Sequence, residues 1–383
     1  MQHQVFLIKP ASAHCNMRCA YCFYANVTDI RSVKNRGMMT ETTAERLIQR
    51  AFREVTGSCT FAFQGGEPTL IGLDFYRRFV EMTALYNTRR IPVYYALQTN
   101  GLLLDGQWGD FFRENHFLIG LSIDGSKAVH DALRVDANGQ ATHRRCGAAL
   151  ALLRERQVDV NVLTVVSSRV AADAQGWWQF VKRERVASVQ LIPCLDELGQ
   201  ERGGAAFSLR PDAYGAFLCA VFDLWFRDLE QGHYVSVRIF DNLIRMLRGE
   251  PPENCAMNGV CHAYPVVEAD GSVYPCDFYA LDEFCLGNLH EADFSSMLSG
   301  ERARAFVRPS RRRHEDCESC PFLALCRGGC RRDRESAVTG VLDRNYFCES
   351  YRTFFAYATP RLRYIAQNPN SFFRARKSRS ADS

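Results

Sequence analysis

Over its first 195 residues the chain alternates short apolar runs with longer stretches in which apolar side chains recur every three or four positions. The short runs are Val5–Lys9, Cys59–Phe63, Val93–Gln98, Leu118–Ile123, Val158–Val165 and Ser188–Pro193, and each has the length of a buried strand. The longer stretches, Thr40–Val55, Leu73–Tyr86, Gly106–Glu114, Thr142–Arg156 and Asp173–Glu184, read as amphipathic helices. Strands that alternate with helices predict an α/β fold with a parallel sheet, either open or curled into part of a barrel. In both arrangements the loops after the C-terminal strand ends form the working face.

The pattern then changes. A polar, glycine-bearing stretch, Glu197–Gly204, interrupts it, and helices are predicted over Pro211–Glu230 and Val237–Arg248. From Cys255 to Cys348 there are eight cysteines, short strand-like runs such as Tyr264–Val267, and many turn residues. So small a core needs staples, and metal would supply them. A last helix is expected over Asn345–Ile365. The division that follows is 1–235 for the alternating part with its connecting helix, 236–370 for the cysteine-rich part with its C-terminal helix, and 371–383 for a disordered basic tail.

Composition narrows the function classes. The 383 residues are 47% apolar, with 26 Phe and 15 Tyr, enough for a large buried core. A net charge of +4 gives no case for a nucleic-acid partner. The runs Arg311–Arg313 and Arg374–Arg379 read as solvated surface and frayed end. No segment approaches the roughly 18 apolar residues of a membrane span. The start, MQHQVFLIKP, lacks the basic, apolar and cleavage regions of a signal peptide, so a cytoplasmic location is expected. In a reducing compartment 16 cysteines read as metal ligands rather than disulfides.

Three of them, Cys15, Cys19 and Cys22 in CNMRCAYCFY, follow the first predicted strand with the spacing C-x-x-x-C-x-x-C. Three close thiolates suit an iron–sulfur cluster. With His14 beside Cys15 the spacing alone leaves zinc open as well. Three thiolates on a four-iron cluster leave one iron open for catalysis. After the second strand comes FAFQGGEPTL, whose Gly65 and Gly66 permit close approach to the backbone. LQTNG (98–101 with Leu97) and LSIDG (121–125) follow the third and fourth strands.

This order of motifs resembles the radical S-adenosylmethionine (SAM) enzymes. The resemblance implies a partial (β/α)6 TIM-like barrel in which Cys15, Cys19 and Cys22 hold a [4Fe-4S] cluster whose open iron chelates SAM. It further implies that Gly65, Gly66 and Glu67 meet the SAM amino group, that Ser122 and Arg134 meet its carboxylate and ribose, and that Leu195 meets its adenine. Tyr21, the aromatic before the last cysteine, is expected beside the cofactor.

Eight further cysteines fit two four-thiolate sites, as iron–sulfur clusters or as zinc ribbons, and their order does not reveal which thiols group together. The order and the CRGGC segment resemble the SPASM domain of peptide-modifying radical SAM enzymes. On that resemblance Cys255, Cys261, Cys276 and Cys330 hold one [4Fe-4S] cluster, and Cys317, Cys320, Cys326 and Cys348 hold another, three clusters in all. Cys59, Cys146, Cys194, Cys219 and Cys285 remain and are expected as buried small hydrophobes.

From LIKPASAHC to YFCESY the chain most resembles the anaerobic sulfatase-maturating enzymes. These convert a sulfatase cysteine or serine to Cα-formylglycine. Asp277, next to Cys276, matches that family's general base, and Tyr24 is expected to touch substrate among the aromatics Phe23, Phe278 and Tyr279. A sulfatase polypeptide as substrate and a flavodoxin- or ferredoxin-like reductant are the implied partners. The competing expectation is a maturase of ribosomally made peptides. Many of those carry an N-terminal leader-binding domain, for which a first strand near Val5 leaves no room. A zinc-bound interaction module is the non-enzymatic alternative.

Overall fold

The structure is a computed structural model that describes residues 1–336 and 340–372. The expected tail lies outside the described residues from 373 onward. The strands in chain order are β1 (His3–Lys9), β2 (Met17–Cys19), β3 (Ser58–Phe63), β4 (Val93–Thr99), β5 (Phe117–Ser122) and β6 (Arg134–Asp136). They continue with β7 (Asp159–Val166), β8 (Ser188–Pro193), β9 (Ser236–Val237), β10 (Val266–Glu268), β11 (Ser272–Tyr274) and β12 (Gly287–Asn288). The chain forms two compact units, each assembled from separate segments.

The first unit comprises Met1–Ile123, Asp131–Val160 and His262–Pro309. Its sheet runs β1, β3, β4, β5 in parallel, with Val5 opposite Thr60, Phe61 opposite Tyr95 and Leu97 opposite Ile119. Helices Glu41–Glu54, Leu73–Tyr86 and Gly106–Glu114 make the crossovers that parallel pairing demands. They begin where the sequence supplies caps. Thr40 accepts from the Thr43 amide, and Asp105 accepts from the amides of Gln107 and Trp108. Beneath them Phe61 and Phe63 meet Phe79 edge-on at 5.2 and 5.0 Å, an aromatic core that fixes the sheet under its helices.

On the other edge of β1 lies β10, from the cysteine-rich segment, paired in parallel with Leu7 opposite Val266 and Lys9 opposite Glu268. Strands β11 and β12 continue antiparallel from it. A separate two-stranded ribbon pairs β2, inside the Cys15–Cys22 segment, with β6. The sequence reading has no counterpart for this ribbon, because three-residue strands carry no periodic signal, and none for the helix Phe23–Ile30.

The second unit comprises Asp124–His130, Asn161–Cys261 and Ser310 onward. Strands β7, β8 and β9 pair in parallel, Val162 opposite Val189 and Val189 opposite Val237. Helices Pro211–Glu230 and Cys348–Gln367 pack together around Phe222, Phe240 and Phe354, all fully buried. The expected helix from Val237 starts at Arg238, since Val237 is used in β9. The helix expected from Asn345 starts at Cys348. The Asn345 side chain turns back to accept from the Phe347 amide, and this holds the entry turn outside the helix. Among the described residues no helix is long and apolar enough to cross a membrane.

Candidate active site

The Cys15–Cys22 loop is built by its neighbours in the first unit. Cys15 precedes β2, Cys19 ends it, and Cys22 caps the helix Phe23–Ile30. In the ribbon Cys19 stands opposite Arg134, whose guanidinium donates to the Tyr21 hydroxyl at 2.9 Å. Tyr21 and Arg134 are thus brought to the loop, both buried, and Ser122 ends β5. Burial pushes the Cys15 thiol up to about 12, the Met17 amide opposes this, and the charges of Glu67, Cys19 and Cys22 add to it. A buried Cys15 sulfur whose ionisation the neighbouring sulfurs oppose becomes a thiolate when a cation joins it, so this donor set fits a cluster.

A hydrogen-bonded lock holds that loop to the next two. The Glu67 amide donates to the His14 carbonyl at 2.7 Å. The fully buried Glu67 carboxylate accepts from the amide and hydroxyl of Thr69, the hydroxyl of Thr99 and the amide of Asn100, at 2.6–3.1 Å. Burial raises its pKa, which those four donors oppose. The Asn100 side chain in turn donates to that of Asn16 at 2.8 Å. The LQTNG segment therefore serves GGEP and the cysteine loop directly, a role that neither motif shows alone. Gly66 is needed for the close approach. At its φ of +44° a Cβ would stand 2.3 Å from the His14 carbonyl oxygen and 2.6 Å from that of Ser12.

Asp277 begins a short 3₁₀ turn directly after Cys276. Its carboxylate is held on both sides: Oδ1 lies 2.5 Å from the Lys9 ammonium, and Oδ2 accepts from the Gln64 amide at 2.5 Å. The residue as a whole is buried, with 12% of its side chain exposed. Tyr24 covers this arrangement from the side, its ring centroid 3.7 Å from Lys9 Nζ. The Tyr24 hydroxyl donates to Glu268 at 2.6 Å, and Arg31 donates to the same carboxylate oxygen at 2.7 Å. Tyr24 and Tyr279 are buried, whereas Phe23 and Phe278 form a half-buried edge-to-face pair at 4.9 Å. Lys9, Gln64 and Glu268 are site residues that the sequence reading lacks. The available signals were a lysine closing an apolar strand and a glutamine leading into GGEP.

In the second unit Cys317, Cys320, Cys326 and Cys348 line one hollow with Phe322, Leu323, Tyr351 and Phe355. Burial pushes the Cys326 thiol up to about 11. The Arg344 guanidinium reaches the Cys348 sulfur at the wall of the hollow. Four sulfurs around an open space with a cation at the wall fit an anionic cluster. Cys255 and Cys261 neighbour each other in this unit, Cys330 also belongs to it, and Leu195 is half-buried there. Cys276 belongs to the first unit. Of the five cysteines expected in the core, Cys59, Cys146 and Cys194 are buried. Cys219 and Cys285 are half-buried instead, the first on the flank of a helix and the second in a turn.

Residues 10–169 match the model of the radical SAM superfamily, and residues 255–321 match that of the SPASM iron–sulfur cluster-binding domain. A cysteine-type anaerobic sulfatase-maturating enzyme of Clostridium novyi is 42% identical over 96% of this chain and 98% of its own. The chain belongs to the anaerobic sulfatase-maturating enzyme family. A serine-type member from Bacteroides thetaiotaomicron is 30% identical over 92% of this chain and 89% of its own. The solved structure of native anSMEcpe with bound AdoMet and Kp18Cys peptide superposes with a TM-score of 0.92 at 41% identity, over 96% of this chain and 99% of that one.

Membership makes this an oxidoreductase of radical SAM type, with the family's partial (β/α)6 barrel, SPASM domain, iron–sulfur clusters and SAM as cofactor. A consequence can be tested at Gly66. Gly66→Ala drives a Cβ into two backbone carbonyls that cannot rotate away, which displaces the cysteine loop. The variant is expected to bind less iron after anaerobic reconstitution and to lose reductive SAM cleavage, as read by iron assay and by 5′-deoxyadenosine release. Unchanged iron and unchanged release would refute the lock.

Proposed function

We propose that the chain oxidises the active-site cysteine of a sulfatase polypeptide to Cα-formylglycine, using three [4Fe-4S] clusters. The observation that carries this reading is a buried carboxylate, Asp277, clamped by Lys9 and Gln64 directly after Cys276 in a chain that spans nearly all of a cysteine-type relative. Higher identity to the cysteine-type relative, 42% against 30% for the serine-type, supports cysteine as the preferred target. Cys15, Cys19 and Cys22 would hold the SAM-binding cluster. Cys255, Cys261, Cys276 and Cys330 would hold one auxiliary cluster, and Cys317, Cys320, Cys326 and Cys348 the other. Gly65, Gly66, Glu67, Ser122, Arg134, Leu195 and Tyr21 would bind SAM.

When bound, these groups supply a 5′-deoxyadenosyl radical that removes hydrogen from the target Cβ and an acceptor for one further electron. Asp277 takes the thiol proton, and with it the target side chain becomes a thioaldehyde that hydrolyses to the aldehyde. Phe23 and Phe278 flank the approach of the peptide. Tyr24, whose ring covers Lys9 and whose hydroxyl is bound to Glu268, would touch the target residue beside the base. A flavodoxin- or ferredoxin-like protein would supply the electron that starts the reaction, in the cytoplasm.

The test uses the anaerobically reconstituted chain with SAM, a strong reductant, and two peptides that carry Cys-x-Pro-x-Arg or Ser-x-Pro-x-Arg. Mass spectrometry is expected to show CH₂SH replaced by CHO in the cysteine peptide, with stoichiometric 5′-deoxyadenosine and slower change in the serine peptide. Deoxyadenosine with neither peptide altered would point to a maturase of other peptides. Zinc in place of about twelve irons per chain would defeat the reading altogether.

A further inference from the structure

Lys9 closes β1 next to the core residues Phe6 and Ile8, and its side chain is fully buried. Taking an ammonium out of water costs several kcal/mol unless a partner restores it. The fold builds a slot for this one. Its Nζ pairs with Asp277 and lies under the Tyr24 ring. Gly65, at φ +86°, leaves room for its stem, since a Cβ there would fall 2.7 Å from Lys9 Cγ and 3.0 Å from Nζ. Across the strand pairing stands Glu268, which is bound by Tyr24 and Arg31. Well-packed apolar residues in place of a buried ion pair are commonly neutral or stabilising. Stability alone therefore gives no reason for a lysine here.

We propose that Lys9 is a positioning residue for the oxidation. It ion-pairs with Asp277 Oδ1 while Gln64 donates to Oδ2, and together they set the orientation in which the carboxylate meets the target thiol. The S–H bond then breaks to an acceptor at a fixed place, and the proton ends on the Asp277 carboxylate. This inference rests on the base role proposed for Asp277. It adds a function for the Gly-Gly turn, which shapes the Lys9 slot as well as facing the cofactor.

The experiment compares the parent, Lys9→Met, Asp277→Asn and the double variant in single-turnover reactions with the cysteine peptide. Deoxyadenosine and aldehyde are measured separately, with iron content and thermal melts recorded for each protein. In Lys9→Met the aldehyde formed per deoxyadenosine is expected to fall about 10–100-fold, the cost of misplacing a reacting group by about 1 Å. In the Asp277→Asn background the same change is expected to add nothing. A parallel fall of both products, or an equal further loss in the Asp277→Asn background, would make Lys9 purely structural and overturn the proposal. If Lys9→Met fails to hold its iron, Lys9→Gln keeps the length and a donor without the charge and is read by the same ratio. Full aldehyde formation by Asp277→Asn would instead remove the base assignment, and an unmodified peptide in the parent would remove the proposed function.

Discussion

Asp277→Asn will keep releasing 5′-deoxyadenosine while aldehyde formation falls by about 10²–10⁴-fold, the usual range for loss of a general base. The two products separate because the residue has no part in the lock around Cys15–Cys22, which rests on Glu67 and Asn100. Hydrogen abstraction therefore continues, and what is lost is the acceptor for the thiol proton. The asparagine has the same shape, so Gln64 can present its carbonyl to the new amide. Lys9, however, keeps its burial and loses the anion at 2.5 Å. Leaving one partner of a buried pair uncompensated costs about 3–5 kcal/mol. The thermal midpoint should therefore drop as well, and the comparison is made at a temperature where both proteins hold their iron. Parallel loss of both products would contradict the division of labour.

Iron removal will cost more stability than any point substitution outside the cluster loops. Between Glu315 and Arg334 the chain makes only one 3₁₀ turn and two four-residue helices, which cannot persist without something to pack around. What they surround is the hollow lined by Cys317, Cys320, Cys326 and Cys348. Losing a structural metal belongs with the changes that exceed about 4–5 kcal/mol. A domain of this size loses about 2–4 °C per kcal/mol, so the shift is on the order of 10 °C. Calorimetry of the reconstituted and chelator-treated chain reads the shift. Hydrogen exchange should place the loosening in residues 310–348. A chelated protein that melts at the same temperature, with that segment still protected, would show that the protein core alone organises it.

How far the sequence carried the reader depended on whether a signal was local. The crossover helices and central strands were readable because their apolar periodicity is carried by consecutive residues, and Leu73–Tyr86 and Ser188–Pro193 end where the pattern ends. The Cys15–Cys22 spacing was readable for the same reason, whereas the role expected of Asp277 came from the family resemblance. Lys9 and Glu268 were not. Each looks like an ordinary charge at a strand end, and only the pairing of strands 259 positions apart turns them into neighbours in a buried set. Gln64 likewise acquires meaning from Asp277, a residue with which it shares no local pattern. Cysteine order gave two possible foursomes no geometry. The hollow lined by Cys317 to Cys348 supplies it for one of them.

Strand β10 lies beside β1 within a single unit, and this limits how such a protein can be cut. A fragment that stops before His262 would retain every cofactor motif of the N-terminal part. It would also strand Lys9, Arg31 and Arg36 without the carboxylates of Asp277, Glu268 and Asp270 that neutralise them. The bared edge of β1 would then offer its amides and carbonyls to any other chain. The two motif-bearing portions are therefore not separable modules. They must be inherited, transplanted and expressed as one piece, and recombination between homologues is tolerable only where both strands come from the same parent.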